Sequence, residues 1–444
     1  MVVWIPVTGR EAEEFLHSVS IRNGKDVQGA SKAMKAIEAR SASHHDEEVA
    51  KFLVPLTEQS TFLPHWEYCN DIPLMDLSSL DHNDHRQDAT AATAALVKAA
   101  ASWGVFQVVN HGLSMSVLEG AMAMTKEFFV MPEEEKQAYA QDYENGPFQG
   151  YKSTLDSFHM TRNLGSQLEY ILHPESLSIK DNWPSTPAAY KDVFEEFGKG
   201  VYKLLTRIAE LLLVGLGIST TSKTSGMLKG NLIQTLRLGH YEPCLQPEMA
   251  LGHTPHLDHT LLTALVQDDT GGLEVNKDGH WYKVAPIPGA IIILLGDQIQ
   301  TITNDNFKAV QHRVVLNPDS SRISIVCGIT PSLDDIVSPA LELVDDTHPA
   351  LYHPYSYADF RLAQFQHWYT GQDALEKFRV ELHEGGTTDT ASKSPTISLD
   401  SPLNVTTTIK PSNWNPKSNN HTVQSHQDLE FQTPIFCKQG TLVA

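Results

Sequence analysis

Apolar positions change their period near residue 231. Upstream, they recur mostly at the three-to-four-residue spacing of amphipathic helices. "IPLMDLSSL" (72–80) is a short strand-like run, followed by the alanine-rich helix "ATAATAALVKAAASWG". "VFQVVNHG" (105–112) combines β-branched and aromatic residues and stops at a glycine, as strands do. "SMSVLEGAMAMTKEFFVMPEEEK" reads as a helix with Ser114 as N-cap and helical spacing through Phe129. The run Glu133 to Glu135 reads as a solvated helix start after Pro132. A long helix is expected over 187–218, bent or interrupted near Gly198 or Gly200.

Downstream, short apolar runs alternate with turn residues: "LIQTLRLGHY", "LLTALVQD", "GLEVN", "HWYKVA", "AIIILLGD", "VQHRVVLN" and "RISIVCGIT". Many short strands at near-regular spacing predict an antiparallel sandwich or barrel. "YSYADFRLAQFQHWYTGQDALEKFRVEL" returns to helical spacing and closes this part. Four regions are expected: an amino-terminal extension (1–70) with a helix around "GASKAMKAIEAR", a helical region (71–225), a β-rich catalytic region (226–384) and a tail (385–444). The tail is rich in Thr, Ser, Asn and Pro, too poor in apolar residues to offset its ordering entropy, and is expected to be disordered.

Charge narrows the partners. The 444 residues carry a formal net charge of −21, against the basic footprint that nucleic acid or an anionic membrane requires. The four cysteines (Cys69, Cys244, Cys327, Cys437) are widely spaced with no C-x-x-C pair, which fits reduced thiols. No window reaches the roughly 18 apolar residues of a spanning helix. The expectation is a soluble, cytoplasmic, monomeric protein with a small-molecule substrate.

The chemistry concentrates in "TPHLDHTLLTALVQ". In a strand, residues two apart share a face, so His256 and Asp258 would converge while His259 points away. His312, on a separate expected strand, offers a third ligand. Two imidazoles and a carboxylate on one face of an octahedron suit non-haem Fe(II) and oxygen chemistry. The spacing alone leaves open a zinc site or unrelated histidines and acids. Arg322 and Ser324, again two apart, would present a guanidinium and a hydroxyl inside the fold, a costly pair unless an anion meets them.

Together these residues resemble the signature of the Fe(II)/2-oxoglutarate-dependent dioxygenases, in the soluble plant branch of gibberellin oxidases, flavonoid oxygenases and 1-aminocyclopropane-1-carboxylate oxidase. "WGVFQVVNHG", "HYEPCLQPEMALG", "TGGLEV", "DGHWYKVAPIPGAIIILLGDQIQ" and "TNDNFKAVQHRVV" match that branch in order, within about 71–368. The resemblance implies an α+β fold with a mainly β core, a double-stranded β-helix (jelly roll) flanked by amino- and carboxy-terminal helices. It implies His256, Asp258 and His312 as iron ligands, and Arg322, Ser324 and Tyr241 as contacts to 2-oxoglutarate, with ascorbate as an accessory reductant. Relatives often carry Asn where this chain has Gly239, which removes one cosubstrate hydrogen bond. The implied reaction converts 2-oxoglutarate and O2 to succinate and CO2 while a substrate carbon is hydroxylated or desaturated. Gibberellin or kaurenoid diterpenoids rank first as substrates, flavonoids and other specialised metabolites next. A non-catalytic binding protein on the same jelly roll is the alternative from another class. His253 and His259 are expected at the surface or behind the ligands, and Asp297 as either a partner of the site or a strand-end acid.

Overall fold

The computed structural model describes residues 68–381, apart from short stretches within 79–85, 142–148, 155–162, 220–231, 245–249 and 368–372. The expectations for 1–67 and for the tail lie outside the described residues.

The described chain runs β1 (Leu74–Asp76), α1 (Arg86–Trp103), β2 (Val105–Val109), α2 (Met115–Phe129), α3 (Glu133–Gln137), β3 (Gly150–Lys152), β4 (Ser166–His173) and α4 (Tyr190–Gly215). It continues as β5 (Ile233–Tyr241), β6 (Leu251–His256), β7 (Leu262–Gln267), β8 (Leu273–Lys277), β9 (His280–Lys283), β10 (Ile291–Leu295), α5 (Asp297–Ile302), β11 (His312–Val315) and β12 (Arg322–Thr330). The hairpin strands β13 (Ile336–Val337) and β14 (Tyr355–Ser356) and the helix α6 (Tyr357–His367) follow.

Two sheets form the jelly roll: one of eight strands, ordered β1-β2-β10-β7-β12-β5-β4-β3, and one of four, β6-β11-β8-β9. Residue parity assigns their faces. On β12, Ile323 is buried, and Ile325, Cys327 and Ile329 join a core cluster with Phe194, Phe197 and Val201 of α4, so α4 covers the outer face of the large sheet. Burying side chains of this kind stabilises the fold by roughly 1.5–3 kcal/mol each. The alternate residues Arg322, Ser324, Val326 and Gly328 therefore face the smaller sheet. On β5 the same rule turns Leu236 and Leu238 outward and Arg237, Gly239 and Tyr241 inward. The inner space is filled near β10 by Val105, Leu265, Leu273, Val275, Ile292 and Leu294. Toward β5 and β4 its lining becomes polar.

Two sequence expectations change. The long helix runs without a break, and Gly198 and Gly200 serve close approach instead: a Cβ on Gly198 would lie 2.6 Å from Leu172, and one on Gly200 2.9 Å from Leu113. The region expected to be mainly helical supplies, besides the strands expected at 72–80 and 105–112 (β1 and β2), the further strands β3 and β4, all joined to the large sheet. The predicted Ser114 cap is present, with its hydroxyl accepting from Val117 N at 3.4 Å.

Candidate metal and cosubstrate site

His256 and His312 are directly paired in register across the antiparallel strands β6 and β11. Asp258 reaches them from a different direction than parity implied, because β6 ends at His256 and Asp258 lies in the turn that follows. That turn is held by backbone hydrogen bonds: Asp297 N donates to Asp258 O at 2.8 Å and Gln298 N to Thr260 O at 3.1 Å. Gly296 makes the approach feasible, since a Cβ there would fall 2.2 Å from Thr260 O and 2.7 Å from Asp258 O. Asp297 thus supports the ligand turn through its backbone. Its own carboxyl is buried, and burial, followed by the charges of Asp373 and Asp258, holds it well above the usual aspartate range.

The ligand atoms of His256, Asp258 and His312 all lie within 4.8 Å of one another. Asp258 Oδ1 is 3.7 Å from Nε2 of each histidine, too long for a hydrogen bond. Each Nδ1 faces a backbone carbonyl, Thr254 O at 2.8 Å for His256 and Val310 O at 3.0 Å for His312. A carbonyl can only accept, so the proton sits on Nδ1 and the Nε2 lone pairs turn toward Asp258. Burial, then the neighbouring His312, lowers the His256 imidazole to about 3, so it is neutral as a metal ligand must be. Burial pushes the Asp258 carboxyl up, but His312, His256 and the Thr263 hydroxyl outweigh it and hold the group below its ordinary value. Two imidazole nitrogens and one carboxylate are a donor set that fits Fe(II), with further coordination positions left for small molecules.

His253 and His259 stand outside this triad, yet neither is a surface group. The His253 ring packs against His256 at a tilt, with centroids 4.1 Å apart, and His259 Nδ1 lies 2.9 Å from the Tyr357 hydroxyl.

A second polar centre lies on the inner face of the large sheet. Arg322 pairs with Tyr241, and Ser324 with Gly239, across β12 and β5. The buried Arg322 guanidinium donates from Nη1 to Ser324 Oγ at 2.9 Å and from Nη2 to Gln267 Oε1 at 3.4 Å, and lies 5.1 Å from the Tyr241 ring centroid. Its buried Nε has no hydrogen-bond partner. Burial lowers its pKa, the mark of a cation awaiting an anion. A carboxylate would meet that need. Tyr241 is fitted into a cradle of glycines: a Cβ on Gly165 or Gly252 would lie 2.7 Å from ring carbons, and one on Gly239 3.2 Å from the hydroxyl and 3.1 Å from Ser324 Oγ. Any side chain at residue 239 would therefore crowd both hydroxyls.

The sequence reading missed Gln267, and it missed the ion pair of Arg237 with Glu169, Nε to Oε1 at 2.7 Å. Parity along β5 contains the signal, because Arg237 stands two and four residues before Gly239 and Tyr241 on the same face. Among the described residues no helix is long and apolar enough to cross a membrane.

Comparison with known proteins agrees with this geometry. Residues 232–331 match the 2OG-Fe(II) oxygenase superfamily, and residues 72–188 match the family described as non-haem dioxygenase in morphine synthesis N-terminal. Jasmonate-induced oxygenase 2 of Arabidopsis thaliana is 34% identical over 317 residues, covering 70% of this chain and 84% of that protein. Flavonol synthase/flavanone 3-hydroxylase of the same plant is 32% identical over 293 residues, 65% of this chain and 84% of its own. The crystal structure of JOX2 in complex with 2OG, Fe and JA superposes with a TM-score of 0.59 at 34% identity, covering 66% of this chain and 84% of that one. The jelly roll, the paired histidines and the anion-seeking arginine thus have one common explanation: this chain belongs to the 2OG-Fe(II) oxygenase superfamily and is an Fe(II)- and 2-oxoglutarate-dependent dioxygenase.

Proposed function

We propose that the enzyme oxidises a small cyclic specialised metabolite, and that His256, Asp258 and His312 hold the iron while Arg322, Ser324 and Tyr241 hold the distal carboxylate of 2-oxoglutarate. The observation that carries the assignment is the convergence of two Nε2 atoms and one carboxylate oxygen, beside a buried arginine with an unpartnered Nε. Bound iron supplies the redox chemistry that couples O2 reduction to decarboxylation of the 2-oxo acid. The chain's own task is to orient and exclude. The Thr254 and Val310 carbonyls fix the imidazole tautomers, the Asp297 amide holds the Asp258 turn, and the Arg322 fork aligns the cosubstrate. The apolar cluster around Leu265 and Ile292 closes one end of the inner space to water.

For the substrate, the relatives support flavonoids and other specialised metabolites ahead of the gibberellin or kaurenoid diterpenoids expected first. Flavonol synthase/flavanone 3-hydroxylase and a relative crystallised with JA stand among them. A non-catalytic role is disfavoured by the convergence of His256, Asp258 and His312 into a group able to hold a metal ion.

The test is anaerobic loading with Fe(II) and 2-oxoglutarate, followed by aerobic incubation with flavonoids, small cyclic acids and diterpenoids while succinate and oxidised products are measured. Succinate formed in step with one product is expected. His256→Ala and Asp258→Ala should bind iron weakly and form no succinate, and near-normal succinate from either would refute the ligand assignment.

A further inference from the structure

Strict alternation along β6 would turn His253 and His256, three residues apart, to opposite faces. The register with β11 overrides it. Leu251 stands opposite Val315, His253 opposite Val314 and His256 opposite His312, so β6 advances five residues while β11 advances three. The surplus residues bulge the strand, and bulges re-aim side chains beside functional sites. Val314 lies two residues from His312 on β11 and packs with Tyr241, so it faces the inner space. His253, opposite Val314, faces the same way. Its ring accordingly meets the His256 ring, with centroids 4.1 Å apart and planes inclined by 35°.

The bulged backbone is tied down locally. Thr254 has no partner on β11, and its amide donates instead to Oδ1 of the buried Asn163 at 2.8 Å. Its carbonyl serves two imidazoles at once, His256 Nδ1 at 2.8 Å and His253 Nδ1 at 3.2 Å. A carbonyl can only accept, so His253 also carries its proton on Nδ1. Across the ring, Nε2 is then a lone-pair acceptor in the neutral imidazole, the form that prevails above about pH 7 for a group whose ordinary pKa is roughly 6.5. Among the described residues no donor meets Nε2, and the half-buried ring borders accessible space. A purely apolar side chain would pack on His256 as well. The imidazole adds one thing, an unmatched acceptor beside the ligand triad. 2-Oxoglutarate is a dianion without a hydrogen-bond donor and cannot satisfy it.

We propose that His253 Nε2 accepts a hydrogen bond from a hydroxyl group of the prime substrate, so that the enzyme selects a hydroxylated ring compound and orients it against the iron ligands. This rests on the dioxygenase reading and narrows its substrate class. A site built to pair with a hydroxyl rejects the analogue that lacks one, because its own polar atom is then left unmatched.

The experiment uses the full chain loaded anaerobically with Fe(II) and 2-oxoglutarate at about pH 8, where the imidazole is neutral, and measures binding by calorimetry, so it needs no turnover. The probes are naringenin, para-coumarate and para-hydroxyphenylacetate, each compared with its methyl ethers and with the compound lacking the hydroxyl. At least one phenol should bind about tenfold tighter than both of its analogues. His253→Phe keeps a ring against His256 and removes the acceptor, and should bring phenol and analogues within about twofold by weakening the phenol alone. His253→Gln, which supplies an acceptor oxygen again, should recover part of the difference. Failure of every phenol to outbind its analogues, an equal loss of all forms in His253→Phe, or a loss confined to 2-oxoglutarate affinity would each overturn the proposal. Loss of 2-oxoglutarate binding in His256→Ala and Arg322→Ala tests the dioxygenase assignment separately, so the two can fail independently.

Discussion

Replacing Gly252 with alanine tests how Tyr241 is held. The new methyl would stand 2.7 Å from Tyr241 Cδ1, 3.1 Å from Cε1 and 3.0 Å from Val314 Cγ1. Carbon atoms pack comfortably at about 3.5–4.0 Å. Either strand β6 or the tyrosine must therefore move by several tenths of an ångström. Val314 is buried, and the other ring edge faces Gly239, where no side chain stands. The ring is the part with room to yield, and its hydroxyl then leaves the neighbourhood of Ser324. Overpacking of this kind costs about 1–3 kcal/mol, and each 1.4 kcal/mol carried into ligand affinity is about tenfold. Gly252→Ala should weaken 2-oxoglutarate binding by roughly tenfold, read by anaerobic titration of the Fe(II)-loaded protein, with a smaller effect on kcat. In a Tyr241→Ala background the same change should cost under about 0.5 kcal/mol, because the ring that it strikes is gone. Additive effects in this double-mutant cycle, or an unchanged 2-oxoglutarate affinity in the single variant, would refute the reasoning.

Two further outcomes follow from buried charge. Arg313 is fully buried, donates from Nε to Glu274 Oε2 at 2.8 Å and stacks on Trp281 at 4.1 Å. Glu274→Ala should lower stability in urea by about 3–5 kcal/mol by leaving that cation without its carboxylate, and a loss under 1 kcal/mol would mean that solvent reaches it. Glu169 has a folded-state pKa below its ordinary value of 4.5, so its contribution is present above that pH and is lost as pH falls through the folded value. The melting-temperature gap between the protein and Glu169→Gln should therefore be full near neutrality and shrink below about pH 4.5. A gap that grows on acidification would reverse the sign of the argument.

The alternation of Ile323, Ile325, Cys327 and Ile329 with Arg322 and Ser324 made β12 and its polar inner face readable, because one face meets α4 and the other a ligand space. The same rule gave β5. It failed at β4, where the apolar run Tyr170 to Leu172 breaks the alternation of "SQLEYILH", and where Gln167 and Glu169 carried no motif to mark them. His256 and His312 were legible through their motif, but their direct cross-strand pairing depends on register between distant strands. Asp258 joins the two histidines by a route that strand parity does not contain, since a turn supported by Asp297 and Gly296 delivers it. Those supports act through backbone atoms, and side-chain identity says little about where a main-chain amide will donate.

Because His256 and His312 face each other across β6 and β11, an ion held between them fastens together two points of the chain with β7 to β10 and α5 between them. Closing so long a loop only in the native state makes the ion a share of the folding free energy. A ligand present at a hundred times its dissociation constant adds about 2.7 kcal/mol to stability, a large part of what holds an ordinary domain together. The supply of metal would then govern how long each polypeptide survives as well as how fast it turns over, with scarcity read out first as lost protein.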